Sequence, residues 1–181
     1  EIRFVTERKE IGGSTDKARF DEIIERARMA QDSVGGVVEC RVEGVPMGWG
    51  EPFFDSVESL AAHLLFSVPA VKGVEFGSGF EAARMTGSEH NDPILDAAGR
   101  TDGNHAGGIV GGISNGNAIV VRAAVKPTAS ISRGQQTYNF ETGRVDELVI
   151  KGRHDVCIAL RAAVVVEAAM AVALADLKLR A

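Results

Sequence analysis

Apolar and polar positions change their spacing several times along the chain, and each change marks an element. Phe20, Ile23, Ile24 and Ala27 recur three and four apart, which predicts an amphipathic helix from about Thr15 to Gln31 with Ser14 as its N-cap. The period then drops to two in "GGVVECRVEGV", where Val38, Cys40 and Val42 alternate with Glu39, Arg41 and Glu43 as in a half-buried strand. "PMGWGEP" reads as a loop. "DSVESLAAHLLFSV" returns to helical spacing, with an Asp or Ser cap and an apolar face of Val57, Leu60, Ala61, Leu64 and Leu65. "KGVEFGSGFEAARM" predicts a short strand, a glycine break and a second strand. Turn residues dominate from Gly87 to Gly116, a long loop of the kind that in a compact domain is functional or disordered. "AIVVRAAVKP" reads as a strand ending at Pro127, and "TYNFETGRVDELVIKG" as a hairpin around Thr142-Gly143. The apolar run from Val156 to Ala175 has the look of a membrane span, but Arg161 and Glu167 interrupt it and a buried helix is the better reading. Strands joined by hairpins, with helices at intervals, predict an α+β fold with antiparallel sheet.

With 181 residues the chain is long enough for one domain with a real core. Its 45% hydrophobic and 25% charged residues are those of a soluble globular protein. A formal net charge of −5 argues against nucleic acid or an anionic membrane as the main partner, and leaves room for a local anion site. Cys40 and Cys157 form no spaced cluster with histidine, which speaks against a disulfide scaffold or a zinc site and for a reduced, cytoplasmic setting. The charged start "EIRFVTERKE" is unlike a secretory signal, and without an initiator Met a beginning partway through a longer chain is expected.

Four stretches carry candidate chemistry. Gly107, Gly108, Gly111, Gly112 and Gly116 have the freedom to cradle a phosphate or a flat cofactor, or simply to make tight turns; their spacing matches neither the P-loop nor the dinucleotide fingerprint. His90 and His105 lie near Glu89, Asp92 and Asp102 without metal-site spacing, so hydrogen-bonding loop histidines are expected, and His63 reads as a surface or packing residue. "KPTAS", Lys126 to Ser130, ends a strand with a cation, two hydroxyls and free backbone donors, groups that suit an anion as well as an ordinary strand end. "KGRHDVC" sets Arg153, His154 and Asp155 before a long apolar run, where unpaired charge is costly. Arg153 and Asp155 either form an ion pair capping the last helix or face a ligand.

In order along the chain, "DSVGG", "GVPMGWGEPFFD", "AVKGVEFGSGF", "GSEHNDP", "NHAGGIVGGISNG", "VKPTASI" and "KGRHDVC" resemble the blocks of chorismate synthases, and the closing "RAAVVVEAAMAVALADLKLR" is similar to that family's last helix. The resemblance runs from about Gln31 to the C-terminus. It implies an α+β fold in which helices are sandwiched between antiparallel β-sheets, of which this chain, 1–181, is the C-terminal portion. It implies a lyase of the shikimate pathway that converts 5-enolpyruvylshikimate-3-phosphate to chorismate and phosphate by anti 1,4-elimination. Reduced FMN is implied as cofactor, without net redox change. NADP enters as the electron source that keeps the flavin reduced, through this protein or a partner. A homotetramer is implied as well.

Carried over by motif, Pro69 and Ala70 line the flavin, where the family usually has Asn-Ala. Gly111 and the run Lys126, Pro127, Thr128, Ala129 and Ser130 contact it, with Lys126 and Thr128 the foremost polar groups. Arg153 touches flavin and substrate, and Asp155 sits near flavin N5 and helps move a proton. Two departures stand out. The family's upstream "GESHG" and "RSSARET", with two catalytic histidines and most substrate-binding arginines, are absent from this sequence, so the chain by itself is expected to be inactive. A non-catalytic ligand-binding or assembly module that keeps the fold is the competing reading. Val156, Leu160 and Val164 stand where the family often has prolines, which predicts a straighter final helix.

Overall fold

The computed structural model describes residues 1–181. Eight strands, Arg3–Ile11 (β1), Gly36–Glu43 (β2), Val71–Phe76 (β3), Ile109–Val110 (β4), Ile113–Ser114 (β5), Ile119–Val125 (β6), Gln135–Asn139 (β7) and Arg144–Leu148 (β8), accompany four helices. These are Phe20–Met29 (α1), Val57–Ser67 (α2), Gly87–His90 (α3) and Ala159–Arg180 (α4). The main sheet is antiparallel throughout, in the order β1-β2-β6-β3, while β4-β5 and β7-β8 are separate hairpins. Alternation decides which face is covered. Val38, Cys40 and Val42 of β2 and Ile119, Val121, Ala123 and Val125 of β6 are buried, and α2 and α4 pack over them. On the opposite face Arg122 bridges Glu39 at 3.2 Å and is held by Glu75 Oε1 at 2.5 Å, which lets charged side chains line a solvent-facing sheet.

Several expectations are corrected. Helix α1 starts at Phe20 rather than near Thr15, after a single 3₁₀ turn over Lys17–Arg19 capped by Asp16, whose Oδ1 accepts from Ala18 N–H at 3.1 Å; Ser14 is not the cap. The second strand expected after Gly77 is a 3₁₀ stretch, Gly79–Arg84. The charged N-terminus, read only as an unlikely signal, is the edge strand β1. The segment from Gly87 to Gly116 is closely turned rather than structureless: it holds α3, the β4-β5 hairpin and a bridge between Ile94 and Thr101. Helix α4 begins at Ala159, three residues past the start of the apolar run. By contrast, β2, α2 with Ser56 as its N-cap, β6 and the β7-β8 hairpin fall where the patterns predict.

Helix α4 is apolar on two sides. Ala162, Val166, Met170, Ala173 and Leu177 are buried against the sheet and α2, while Val164, Val172 and Leu179 on the opposite side are exposed, at 69%, 57% and 87%. A helix apolar all round belongs inside a protein. No helix of the chain is long and apolar enough to cross a membrane.

Candidate active site

Antiparallel register gathers the predicted site segments, apart from Gly111, at one rim of the sheet. The end of β6, Val125, pairs with both the start of β2, Gly36, and the start of β3, Val71. Whatever precedes β2 or β3 or follows β6 therefore emerges side by side. Ala70 lies just before β3 with φ 73°, a left-handed conformation costly for a residue with a Cβ. Its carbonyl accepts from Lys126 N–H at 2.8 Å, which places Pro69-Ala70 beside Lys126-Pro127. The "RHD" segment joins the same rim: Thr128 Oγ1 donates to the Asp155 carbonyl at 2.6 Å, and Val34 N–H donates to the Val156 carbonyl at 2.8 Å.

The rim is rich in unused donors. No protein acceptor lies against the backbone N–H groups of Thr128, Ala129, Ser130, Ile131 and Ser132, five in succession. Lys126 Nζ reaches only the neighbouring Pro127 carbonyl at 3.3 Å, and Arg153 has no carboxylate partner. Unpaired backbone donors that follow a free cation, Lys126, are groups that suit an anion. A pocket of about 160 Å³ opens beside them, lined in part by Ser33, Ser130, Ser132, His154 and Asp155. His154, which spacing did not single out as a ligand, holds its Nε2 buried without a hydrogen-bond partner beneath Gly152.

The two alternatives for Arg153 and Asp155 resolve in an unexpected way. Asp155 does pair with an arginine, but that partner is Arg161, with Nη1 3.1 Å from Oδ2, and Arg153 is left free. Asp155 does not cap α4, whose N-cap residue is Ile158 with no side-chain cap. Next to it the Cys157 thiol is pushed up by burial, so it is a poor nucleophile and a packing residue.

Gly111 stands apart. It turns the β4-β5 hairpin with φ 62° and open space where a Cβ would be. That hairpin sits at the other rim: Gly112 accepts from Val57 N–H at the start of α2, and Val120 near the start of β6 donates to the Gly107 carbonyl. The seven residues of β6 separate the rims by roughly 20 Å. One ligand touching Gly111 and Lys126 would have to be elongated. A second pocket, about 800 Å³ and mostly apolar, lies at Gly111, with Met47, His90, Asp92 and Ile109 among its walls. Of the two histidines, His105 is a hydrogen-bonded loop residue, with Ser78 Oγ 2.8 Å from its Nδ1, whereas His90 ends α3; their rings stand 5.8 Å apart.

A helix-backed antiparallel sheet with a rim of unpaired donors defines an α+β domain whose exposed groups suit an anion. Its family follows from comparison with known proteins. A sequence model of the chorismate synthase family, described as "Chorismate synthase", matches residues 5–179, and the chain belongs to that family. A chorismate synthase of Chitinophaga pinensis is 60% identical over 171 residues, 94% of this chain and 51% of that protein. One of Korarchaeum cryptofilum is 53% identical over 160 residues, 87% of this chain and 44% of that protein. A crystal structure of chorismate synthase superimposes with a TM-score of 0.79 at 28% identity, over 99% of this chain and 57% of that one. The chain thus spans about half the length of the curated relatives it matches.

Proposed function

We propose that residues 1–181 are the C-terminal portion of a chorismate synthase and that the donor-rich rim is its share of the active site. The observation that supports the reading is the run of five unpaired N–H groups that follows free Lys126, on a segment tied through Thr128 Oγ1 to the main chain of Asp155. These groups fit FMN: its phosphate suits backbone donors and Lys126, and an elongated nucleotide suits a site whose other predicted contact, Gly111, lies across the sheet. Reduced FMN, when bound, supplies electron density to the substrate as phosphate departs, with no net redox change. The chain's own residues do the rest. Arg153 pairs with the leaving phosphate of 5-enolpyruvylshikimate-3-phosphate and stabilises its growing charge. Asp155 holds or accepts a proton beside the flavin, an acid–base role worth ~10²–10⁴-fold in rate. Ala70 and Pro69 form an apolar edge next to Lys126.

The exposed apolar side of α4 supports the further reading that another layer, the family's other half, covers this helix in the complete enzyme. Assembly as a homotetramer, a cytoplasmic location and NADPH-dependent upkeep of the reduced flavin accompany this function. Titration of reduced FMN into the chain, with Lys126→Ala and Arg153→Ala alongside, tests the rim. Saturable binding that weakens about tenfold or more in Lys126→Ala is expected, from loss of a charge-assisted contact. Equal binding by all three proteins, or none by the wild type, refutes the assignment.

A further inference from the structure

The pentapeptide Asp32 to Gly36, "DSVGG", lines the small pocket with Ser33 and lies against both segments of the rim. Asp32 Oδ2 accepts from Arg133 Nη1 at 3.0 Å. Ser33 Oγ donates to the Thr128 carbonyl at 2.6 Å, and Val34 N–H donates to the Val156 carbonyl at 2.8 Å. A Cβ on Gly35 would lie 2.5 Å from the Val125 carbonyl oxygen and 3.2 Å from Pro127 Cδ, and one on Gly36 would lie 2.9 Å from Ala159 Cβ. The strap therefore grips the "KPTAS" segment on one side and the "RHD" segment on the other. Between those segments runs one short link, Thr128 Oγ1 to the Asp155 carbonyl at 2.6 Å. Ser33 thus begins a relay: its hydroxyl seats the Thr128 carbonyl, and the Thr128 hydroxyl seats the main chain of Asp155.

We infer that Ser33 is a positioning residue for Asp155 and for the donor run at Thr128, a role that rests on the reading of this rim as the flavin and phosphate site. Five consecutive N–H groups without protein partners gain nothing from their own hydrogen bonding, so their placement has to come from groups flanking them. Ser33 and Arg133 are the flanking ties on the α1 side, with Arg133 N–H also bonded to the Gln31 carbonyl at 3.1 Å. A glycine at position 35 lets the strap come this close, since any side chain there would push "KPTAS" outward. A hydroxyl that merely satisfied itself locally would show no link to Asp155, 122 positions further on.

Amide hydrogen exchange on the 181-residue chain tests this directly, because Val34 N–H reports the hold on the Asp155 segment and Arg133 N–H the hold on the donor run. Ser33→Ala is expected to speed exchange at both amides about tenfold, the loss of one buried-side hydrogen bond. Cys40 and Val121 in the sheet should keep their rates, and Ser33→Thr, which restores the hydroxyl, should restore both reporters. Thr128→Val breaks the relay from its other end and should speed Val34 in the same way, so a poorly folding Ser33→Ala does not end the test. Reduced FMN affinity, measured in parallel, should fall several-fold in Ser33→Ala and recover in Ser33→Thr. Unchanged exchange at Val34 and Arg133 overturns the role of Ser33 whatever the flavin does. Altered exchange with no flavin binding by the wild type overturns the functional reading of the rim and leaves the relay standing as the link that holds Asp155.

Discussion

Asp155→Asn, made in the complete enzyme, separates chemistry from folding. The Asp155 side chain is 42% exposed and its one partner, Arg161, is 75% exposed, with 3.1 Å between them. An ion pair so open to solvent contributes ~0–1 kcal/mol. The carbonyl that Thr128 holds at 2.6 Å belongs to the main chain and is untouched by the substitution. Stability is therefore expected to fall by less than about 1 kcal/mol, a shift of a few degrees at most in Tm. Single-turnover formation of chorismate with pre-reduced FMN should fall by at least ~10²-fold, about 2.7 kcal/mol on the barrier. Arg161→Ala supplies the contrast, because it breaks the same ion pair and keeps the carboxylate; its rate should stay within several-fold of the wild type. A near-normal single-turnover rate for Asp155→Asn, or an equal loss in Arg161→Ala, would refute the argument and leave Asp155 as a surface ion-pair partner.

Incubated anaerobically with pre-reduced FMN and 5-enolpyruvylshikimate-3-phosphate, the 181 residues alone should form no chorismate; robust formation would show that the other half of the family's sequence is not needed. The chain should self-associate and bind hydrophobic dyes through Val164, Val172 and Leu179, and Val172→Glu should weaken association while moving stability by no more than ~0.5 kcal/mol. A monodisperse monomer without dye binding in sedimentation experiments would contradict this. Burial pushes the Cys40 and Cys157 thiols up, so above about pH 8.5 the unfolded chain releases protons that the native state retains. Stability is present in full below that pH and should fall as pH rises, by up to ~1.4 kcal/mol per pH unit for each thiol. Equal urea midpoints at pH 7.5 and 9.5 would count against it.

The candidate site was legible in the sequence as a set of segments and illegible as an arrangement. Lys126 to Ser130 read as a donor-bearing strand end, and the free N–H groups are there. Arg153 and Asp155 read as either a pair or ligand-facing groups, and only the fold shows that Arg161, in the first turn of α4, takes the carboxylate. Ser33 carried no signal of its own, because a serine in a Gly-flanked stretch looks like any turn residue until its neighbour 95 positions away is known.

Period alone settled the elements whose two faces differ sharply. Buried and open positions alternate along β6 and along β2 from Val38 onward, and α2 carries its cap and stripe, because one face of each must lie against apolar neighbours. Strand β1 escaped that reading. Its helix-facing side holds Phe4, Thr6 and an exposed Arg8 rather than a run of apolar residues, and its other face carries Glu7 and Lys9, charges that suit an edge strand. The tertiary structure decided what no local pattern encodes: which strand ends share a rim. Register with β6 brings Gly36 and Val71 level with Val125, and so joins segments from positions 33, 70 and 126, while Gly111 is carried to the far end of the same strand. Hydrogen-bonded pairing between strands is a long-range choice, made by burying whole faces together, and it is there that separate motifs become one site.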